Sequence, residues 1–130
     1  MIGLVLVTHS GLATALKASA EMIVGNVDLV AMVELIQGDQ ADDIMAKVVH
    51  AVESVSKDGA IIMTDLFGGT PSNMAMSFLK EGSIEVVTGV NLPMIMEFFS
   101  KRERLTVAEL AKELQNSGRE GIINAGEFLK

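Results

Sequence analysis
The apolar positions along this chain follow two alternating periods. Residues 2–7 form a nearly unbroken apolar run, as in a strand buried on both faces. Over residues 11–24 the period becomes helical, with Leu12, Leu16, Ala20 and Ile23 on one face and Gly25 as the stop. Residues 29–36 return to the strand pattern, with Gly38 and Asp39 as the exit turn. Residues 40–57 place Ile44, Val48, Val52 and Val55 on one stripe, while Asp42, Lys47, Glu53 and Lys57 fall mostly elsewhere, which predicts an amphipathic helix. Ala60–Thr64 is a third strand. Thr70 is then placed to cap a helix that has Pro71 in its first turn, runs to about Lys80 and ends at Gly82. Residues 84–90 form a fourth strand, and Asn91 and Pro93 lead into a helix ending near Arg102. Thr106 and Glu109 have capping-box spacing for a helix over 107–116, closed by Gly118, with a short last strand expected at 121–124.

Repeated strand–helix alternation predicts an α/β fold, doubly wound, with a mostly parallel sheet, helices on both faces and right-handed crossovers. The expected strand order is 2-1-3-4, and 130 residues without a repeat or linker are expected to form a single domain, 1–130. Open sheets of this kind bind ligands outside the carboxyl ends of the strands, where the strand order reverses. In the order 2-1-3-4 the reversal falls between the first and third strands. Their ends carry His9 and Asp65.

Composition narrows the function classes. The formal net charge is −7, against the clustered Lys and Arg that nucleic acid or an anionic membrane surface requires. There is no cysteine, so disulfides, zinc–thiolate sites and thiol catalysis are excluded. The apolar amino terminus lacks a basic lead and runs straight into Thr8-His9, the pattern of a first strand rather than a signal peptide. No apolar run reaches the roughly 18 residues that span a bilayer. A soluble, cytoplasmic protein is expected. The nine Met fit an adaptable core and give no sign of a metal site.

The chemistry concentrates in two loops. His9 can act as a nucleophile through one ring nitrogen, provided the other is held as a donor, and Asp65 is placed to hold it. Gly68-Gly69-Thr70-Pro71 supplies an anion site: glycines that allow close backbone approach, free N–H groups of a helix first turn, and the Thr70 hydroxyl. Together these suit the oxygens of a phosphoryl group in transfer. Each feature also has a plain structural reading, as a core histidine, a loop-to-helix junction and a turn carboxylate. Residue chemistry alone leaves phosphoryl transfer, acyl transfer and a purely structural role open. His50 lies off the apolar stripe of its helix and reads as a solvated residue. Thr8 and Ser10 read as loop hydrogen-bonders. The chain has neither G-x-x-x-x-G-K-[ST] nor G-x-G-x-x-G, so no nucleotide cofactor is expected, and His9 and Asp65 are too few for a metal site.

Four segments carry a resemblance: Thr8-His9, the block Asp65-x-Phe67-Gly68-Gly69-Thr70-Pro71-x-Asn73, Gly89-Val90-Asn91-Leu92-Pro93-Met94, and Gly118-Arg119-Glu120-Gly121. In this order and spacing the chain resembles the enzyme IIA domain of the mannose (mannose/fructose/sorbose) class of the bacterial phosphoenolpyruvate-dependent sugar phosphotransferase system, the PTS. The resemblance implies a phosphotransferase component without a cofactor. His9 would accept a phosphoryl group from the phosphocarrier protein HPr on Nε2, with Asp65 on Nδ1, and pass it to enzyme IIB. Gly68, Gly69, Thr70 and Ser10 would surround the phosphoryl group. It also implies a homodimer in which a short antiparallel strand, here 121–124, is exchanged between subunits. Members often have Gly where this chain has Ser10. The chain stops at Lys130, so a separate IIB protein is expected as acceptor. Two other readings stand beside this one: a regulatory adaptor switched by phosphorylation of His9, and the phosphotransfer subunit of a dihydroxyacetone kinase, against which the Asp65–Asn73 block argues.

Overall fold
A computed structural model describes residues 1–130. Four strands, β1 (Gly3–His9), β2 (Val30–Leu35), β3 (Ala60–Thr64) and β4 (Ile84–Thr88), form one sheet in the order β2-β1-β3-β4, and every pairing is parallel. The helices are α1 (Leu12–Val24), α2 (Ala41–Val55), α3 (Thr70–Met76), α4 (Leu92–Lys101), α5 (Val107–Glu120) and α6 (Ala125–Phe128). The expected α/β class and strand order are therefore found.

The strand pleat sorts the core into two layers. Leu4 and Leu6 face α1, α4 and α5, where they pack with Ala13, Ala20, Phe98, Leu110 and Leu114. Val5 and Val7 face the opposite side and meet Ile44, Val48, Val52 and Val55 of α2 and Ala75 of α3. All of these are buried, which is why β1 and β3 read as continuous apolar runs rather than alternating ones. Burying each such Val, Leu or Ile contributes about 1.5–3 kcal/mol. Gly3 lets β1 lie against the end of α2, since a Cβ there would collide with the Val55 backbone. Arg102, also buried, ties the bottom of the sheet: Nε donates to the Ile2 carbonyl at 3.0 Å and Nη1 to that of Asp28 at 2.9 Å, with the guanidinium over the Phe98 ring.

Several boundaries differ from the sequence expectation. α1 buries Ala13 and Ala20 but leaves Leu12 and Ile23 exposed, so its contact stripe is rotated from the expected one toward the small residues, which bring the helix close to the sheet. α3 begins at Thr70 itself, with Gly69 as the N-cap, and stops at Met76 rather than near Lys80. Ser77, Phe78 and Leu79 each donate to the carbonyl three residues back, and Lys80 pairs with Ile84, so the chain turns into β4 early. The capping box of Thr106 and Glu109 forms as expected, but α5 runs on through Gly118 to Glu120. Gly118 packs closely there: a Cβ would lie 2.9 Å from the Met94 terminal methyl, which would have to shift. Residues 121–124 are not a strand in the single chain. Gly121 closes α5, residues 122–124 have no sheet partner, and α6 follows.

Candidate active site
β1 and β3 are neighbours, and the chain leaves them in opposite directions, toward β2 and toward β4. The reversal point therefore opens between their carboxyl ends, and His9 is the last residue of β1. One oxygen of Asp65, Oδ2, accepts two hydrogen bonds from His9: from its backbone N–H at 2.9 Å and from ring Nδ1 at 2.8 Å. An ionised carboxylate can only accept, so the Nδ1 proton is fixed in place and Nε2 keeps its lone pair. The second oxygen, Oδ1, accepts from Leu66 N at 3.1 Å. Burial pushes the Asp65 carboxyl up, but the backbone N–H and ring of His9 outweigh it and hold the group below its ordinary value. The side chain of Asp65 is 11% exposed and that of His9 50%, so the pair has a sheltered anchor and an open ring.

The free edge of the ring points to the glycine loop. A Cβ on Gly69 would sit 3.2 Å from His9 Cε1 and 3.7 Å from Nε2. Gly68 has φ +93, in the left-handed region that favours glycine. Ser72 pins this loop: its hydroxyl accepts from Gly68 N at 2.9 Å and donates to the Gly69 carbonyl at 3.0 Å. Residue spacing assigns Thr70 the capping role. In the structure Ser72 stabilises the loop, and Thr70 is left exposed, lining a cleft of about 670 Å³ together with His9, Ser10, Ile36, Asp39 and Ile44. α3 spans only seven residues, so the local N–H groups matter more here than a long helix dipole.

Ser10 follows His9 and lines the same cleft. Its φ is +51, uncommon for a residue with a side chain, and its N–H donates to the Leu35 carbonyl at 2.7 Å. Thr8 is fully buried, and its hydroxyl accepts from Ala13 N at 3.0 Å, confirming the loop-bonding role expected of it. Glu34 escaped the sequence reading. Its carboxylate accepts from Thr14 N and Thr14 Oγ1, each at 3.0 Å. The available signal was a single charged residue inside the apolar run 29–36. His50 is exposed on α2, as expected. No group of three or more His, Cys, Asp or Glu converges as a metal site would require.

His9, Asp65, Gly68, Gly69, Thr70 and Ser10 thus meet at one end of the sheet. The arrangement suits nucleophilic attack by Nε2: one nitrogen is held, the other is open, and glycine backbone lies beside it.

Comparison with known proteins agrees with this geometry. A family model described as "PTS system fructose IIA component" matches residues 3–115. The fructose-specific EIIA component of Bacillus subtilis (strain 168) is 30% identical over 132 residues, covering 100% of this chain and 90% of that protein. The sorbose-specific EIIA component of Lacticaseibacillus casei is 32% identical over 112 residues, covering 85% of this chain and 81% of its own. Among solved structures, the phosphotransferase system component EIIA from Streptococcus agalactiae superposes with a TM-score of 0.89 at 27% identity, over 98% of this chain and 99% of that one. A sheet whose order reverses between His9 and Asp65, together with these matches over nearly the whole chain, places the protein in the mannose/fructose/sorbose family of PTS enzyme IIA components.

Proposed function
We propose that this chain is a phosphohistidine carrier that takes a phosphoryl group from HPr onto His9 and delivers it to an enzyme IIB in the cytoplasm. The observation that carries this reading is the 2.8 Å bond from Nδ1 to Asp65 with the opposite ring edge open beside Gly69. In the forward step the Nε2 lone pair attacks phosphorus. The donor's bond to phosphorus breaks, and its electron pair leaves with the donor. The Nδ1 proton stays where it is, and the positive charge that develops on the imidazolium is met by the Asp65 carboxylate. The N–H groups of Gly69 and Thr70 and the hydroxyls of Thr70 and Ser10 receive the phosphoryl oxygens, Gly68 N being held by Ser72. Delivery to the IIB protein is the same displacement in reverse, with phosphorus moving to the acceptor and the pair returning to Nε2.

The test is intact mass after incubation with phosphoenolpyruvate, enzyme I and HPr, with His9→Gln beside the wild type. One acid-labile phosphoryl group on the wild type, absent from the variant and from a reaction lacking HPr, is the expected result. No mass change with active HPr, or labelling of the variant, refutes the assignment.

The reading extends to a homodimer. Ile122 and Ile123 are 77% and 60% exposed on a segment without a sheet partner, and β4 is an edge strand with a groove of about 400 Å³ beside it, lined in part by Val86, Thr88 and Gln115. Segment 121–124 of a second copy fits that edge as an added antiparallel strand. Truncation after Gly121 is expected to shift sedimentation from dimer toward monomer. An unchanged dimer would remove the exchanged strand from the reading.

A further inference from the structure
We propose that Glu34 is a positioning residue for His9: its carboxylate fastens the first turn of α1 to the end of β2 and thereby holds segment 9–14 in the geometry that presents His9 to Asp65. This deepens the carrier reading and rests on it. The observation is a double anchorage from β2. Thr8 and His9 lie in register with Glu34 and Leu35 on that strand. The Leu35 carbonyl accepts from Ser10 N at 2.7 Å, and the Glu34 carboxylate accepts from both Thr14 N and Thr14 Oγ1 at 3.0 Å.

The loop between these anchors needs them. Ser10 sits at φ +51, a conformation that a residue with a side chain keeps only when its surroundings over-determine it. Gly11, the N-cap of α1, has no side chain to cap with. The orphan donors of the first turn are therefore served from outside, Ala13 N by Thr8 and Thr14 N by Glu34. β3 holds His9 through Asp65, and β2 holds the residues that follow it through Glu34 and Leu35. With either side loosened, the backbone N–H of His9 drifts from Asp65 Oδ2 and the ring follows.

A second consequence concerns the anion. Thr8 and Glu34 occupy Ala13 N and Thr14 N, so neither of these two N–H groups is left for a phosphoryl group.

The experiment compares Glu34→Ala and Glu34→Gln with the wild type by two readouts. The first is the nitrogen-15 spectrum of the His9 ring in the unphosphorylated protein. The second is phosphoryl uptake from phosphorylated HPr at saturating donor. In the wild type the spectrum is expected to show one tautomer, protonated at Nδ1. Glu34→Ala is expected to mix the tautomers and slow uptake by about tenfold, with the half-saturating donor concentration unchanged. Glu34→Gln keeps an acceptor for Thr14 N and is expected to restore a single tautomer and a rate within about threefold of wild type. A wild-type spectrum and rate in Glu34→Ala would overturn the proposal, leaving Glu34 as a helix cap alone. A Gln variant as impaired as the Ala variant would also overturn it. Should Glu34→Ala fail to fold, Glu34→Asp, one methylene shorter and so withdrawn from both Thr14 N and Thr14 Oγ1, must show the tautomer mixing for the proposal to stand. The ring spectrum needs no donor, so a wild type that takes no phosphoryl group refutes the carrier reading while the spectrum still decides the role of Glu34.

Discussion
Substituting alanine for Gly69 separates the chemistry of the loop from its stability. Gly69 has φ −89 and ψ 173, ordinary extended backbone that alanine adopts without strain. Alanine also lowers the entropy of the unfolded chain, a gain of about 0.4–1 kcal/mol. Against this stands the contact of the new Cβ with His9 Cε1 at 3.2 Å, which makes the ring give by a few tenths of an ångström. The two effects nearly cancel, so Tm is expected to move by only a few degrees in either direction, on the order of 1 kcal/mol or less. The rate has no such compensation. The displaced ring spoils its 2.8 Å bond to Asp65, and the methyl group lies 3.7 Å from Nε2, in the space that the proposed carrier reading gives to the phosphoryl oxygens. Misplacement approaching an ångström costs about 100-fold, so a loss of roughly 10- to 100-fold is expected. Rapid-quench intact mass gives the rate and calorimetry gives Tm on the same preparation. An unchanged rate would show that the Gly69 side of the ring is not where the phosphoryl group goes. A fall in Tm of about 10 °C with a proportionate loss of active protein would show that Gly69 serves the fold instead.

Gly68→Ala gives the opposite signature: at φ +93 with nothing within 4 Å, alanine strains the backbone without touching the ring. A stability loss of about 1–2 kcal/mol, read by denaturant titration, is expected with a rate less affected than in Gly69→Ala. Ser10→Gly relieves φ +51 and is expected to raise the denaturation midpoint, by a net amount on the order of 0.5–1 kcal/mol once glycine's larger unfolded-state entropy is subtracted. Asp65 is held below its ordinary value of 3.8, so its contribution to stability is fully present above that pH and is lost as pH falls through the lower, folded-state value. The Tm difference between wild type and Asp65→Asn is therefore expected to shrink on acidification below about pH 4, and a gap that widens there would contradict the sign. Arg102→Ala leaves the Ile2 and Asp28 carbonyls without their donor and is expected to cost about 2–4 kcal/mol by chemical denaturation, with His9 phosphorylation retained in the folded fraction.

The sequence made the sheet legible because β1 and β3 are buried on both faces, and a run such as Ala60–Thr64 then has one reading. His9 and Asp65 were legible as strand ends, and the reversal of strand order brought them together. Punctuation by glycine was less reliable. Gly118 read as a helix stop but sits inside α5, close against the Met94 side chain, a fact that lives in tertiary packing. Thr70 and Ser72 are two residues apart, both with hydroxyls able to bond nearby backbone, and local pattern alone does not show that Gly69 becomes the N-cap while Ser72 holds the loop. The carboxylate of Glu34 reaches Thr14 twenty residues back, through the pairing of β1 with β2. Segment 121–124 has the apolar content of a strand but no partner within its own chain, and a strand is defined by its partner.

The double bond from one Asp65 oxygen to the backbone and ring of the same residue has a consequence for traffic. Backbone, side chain and carboxylate close a small loop that sets the aim of the imidazole relative to the sheet. On the proposed carrier reading, whatever loads the nitrogen and whatever unloads it would approach along one line and cover one patch of surface. Donor and acceptor would then compete for the same berth, and the loaded carrier would part from one before meeting the other. Such a device would work as a turnstile. Its throughput would depend on how quickly each visitor leaves as much as on the chemical step, and an excess of the unloaded donor would slow delivery by occupying the shared approach.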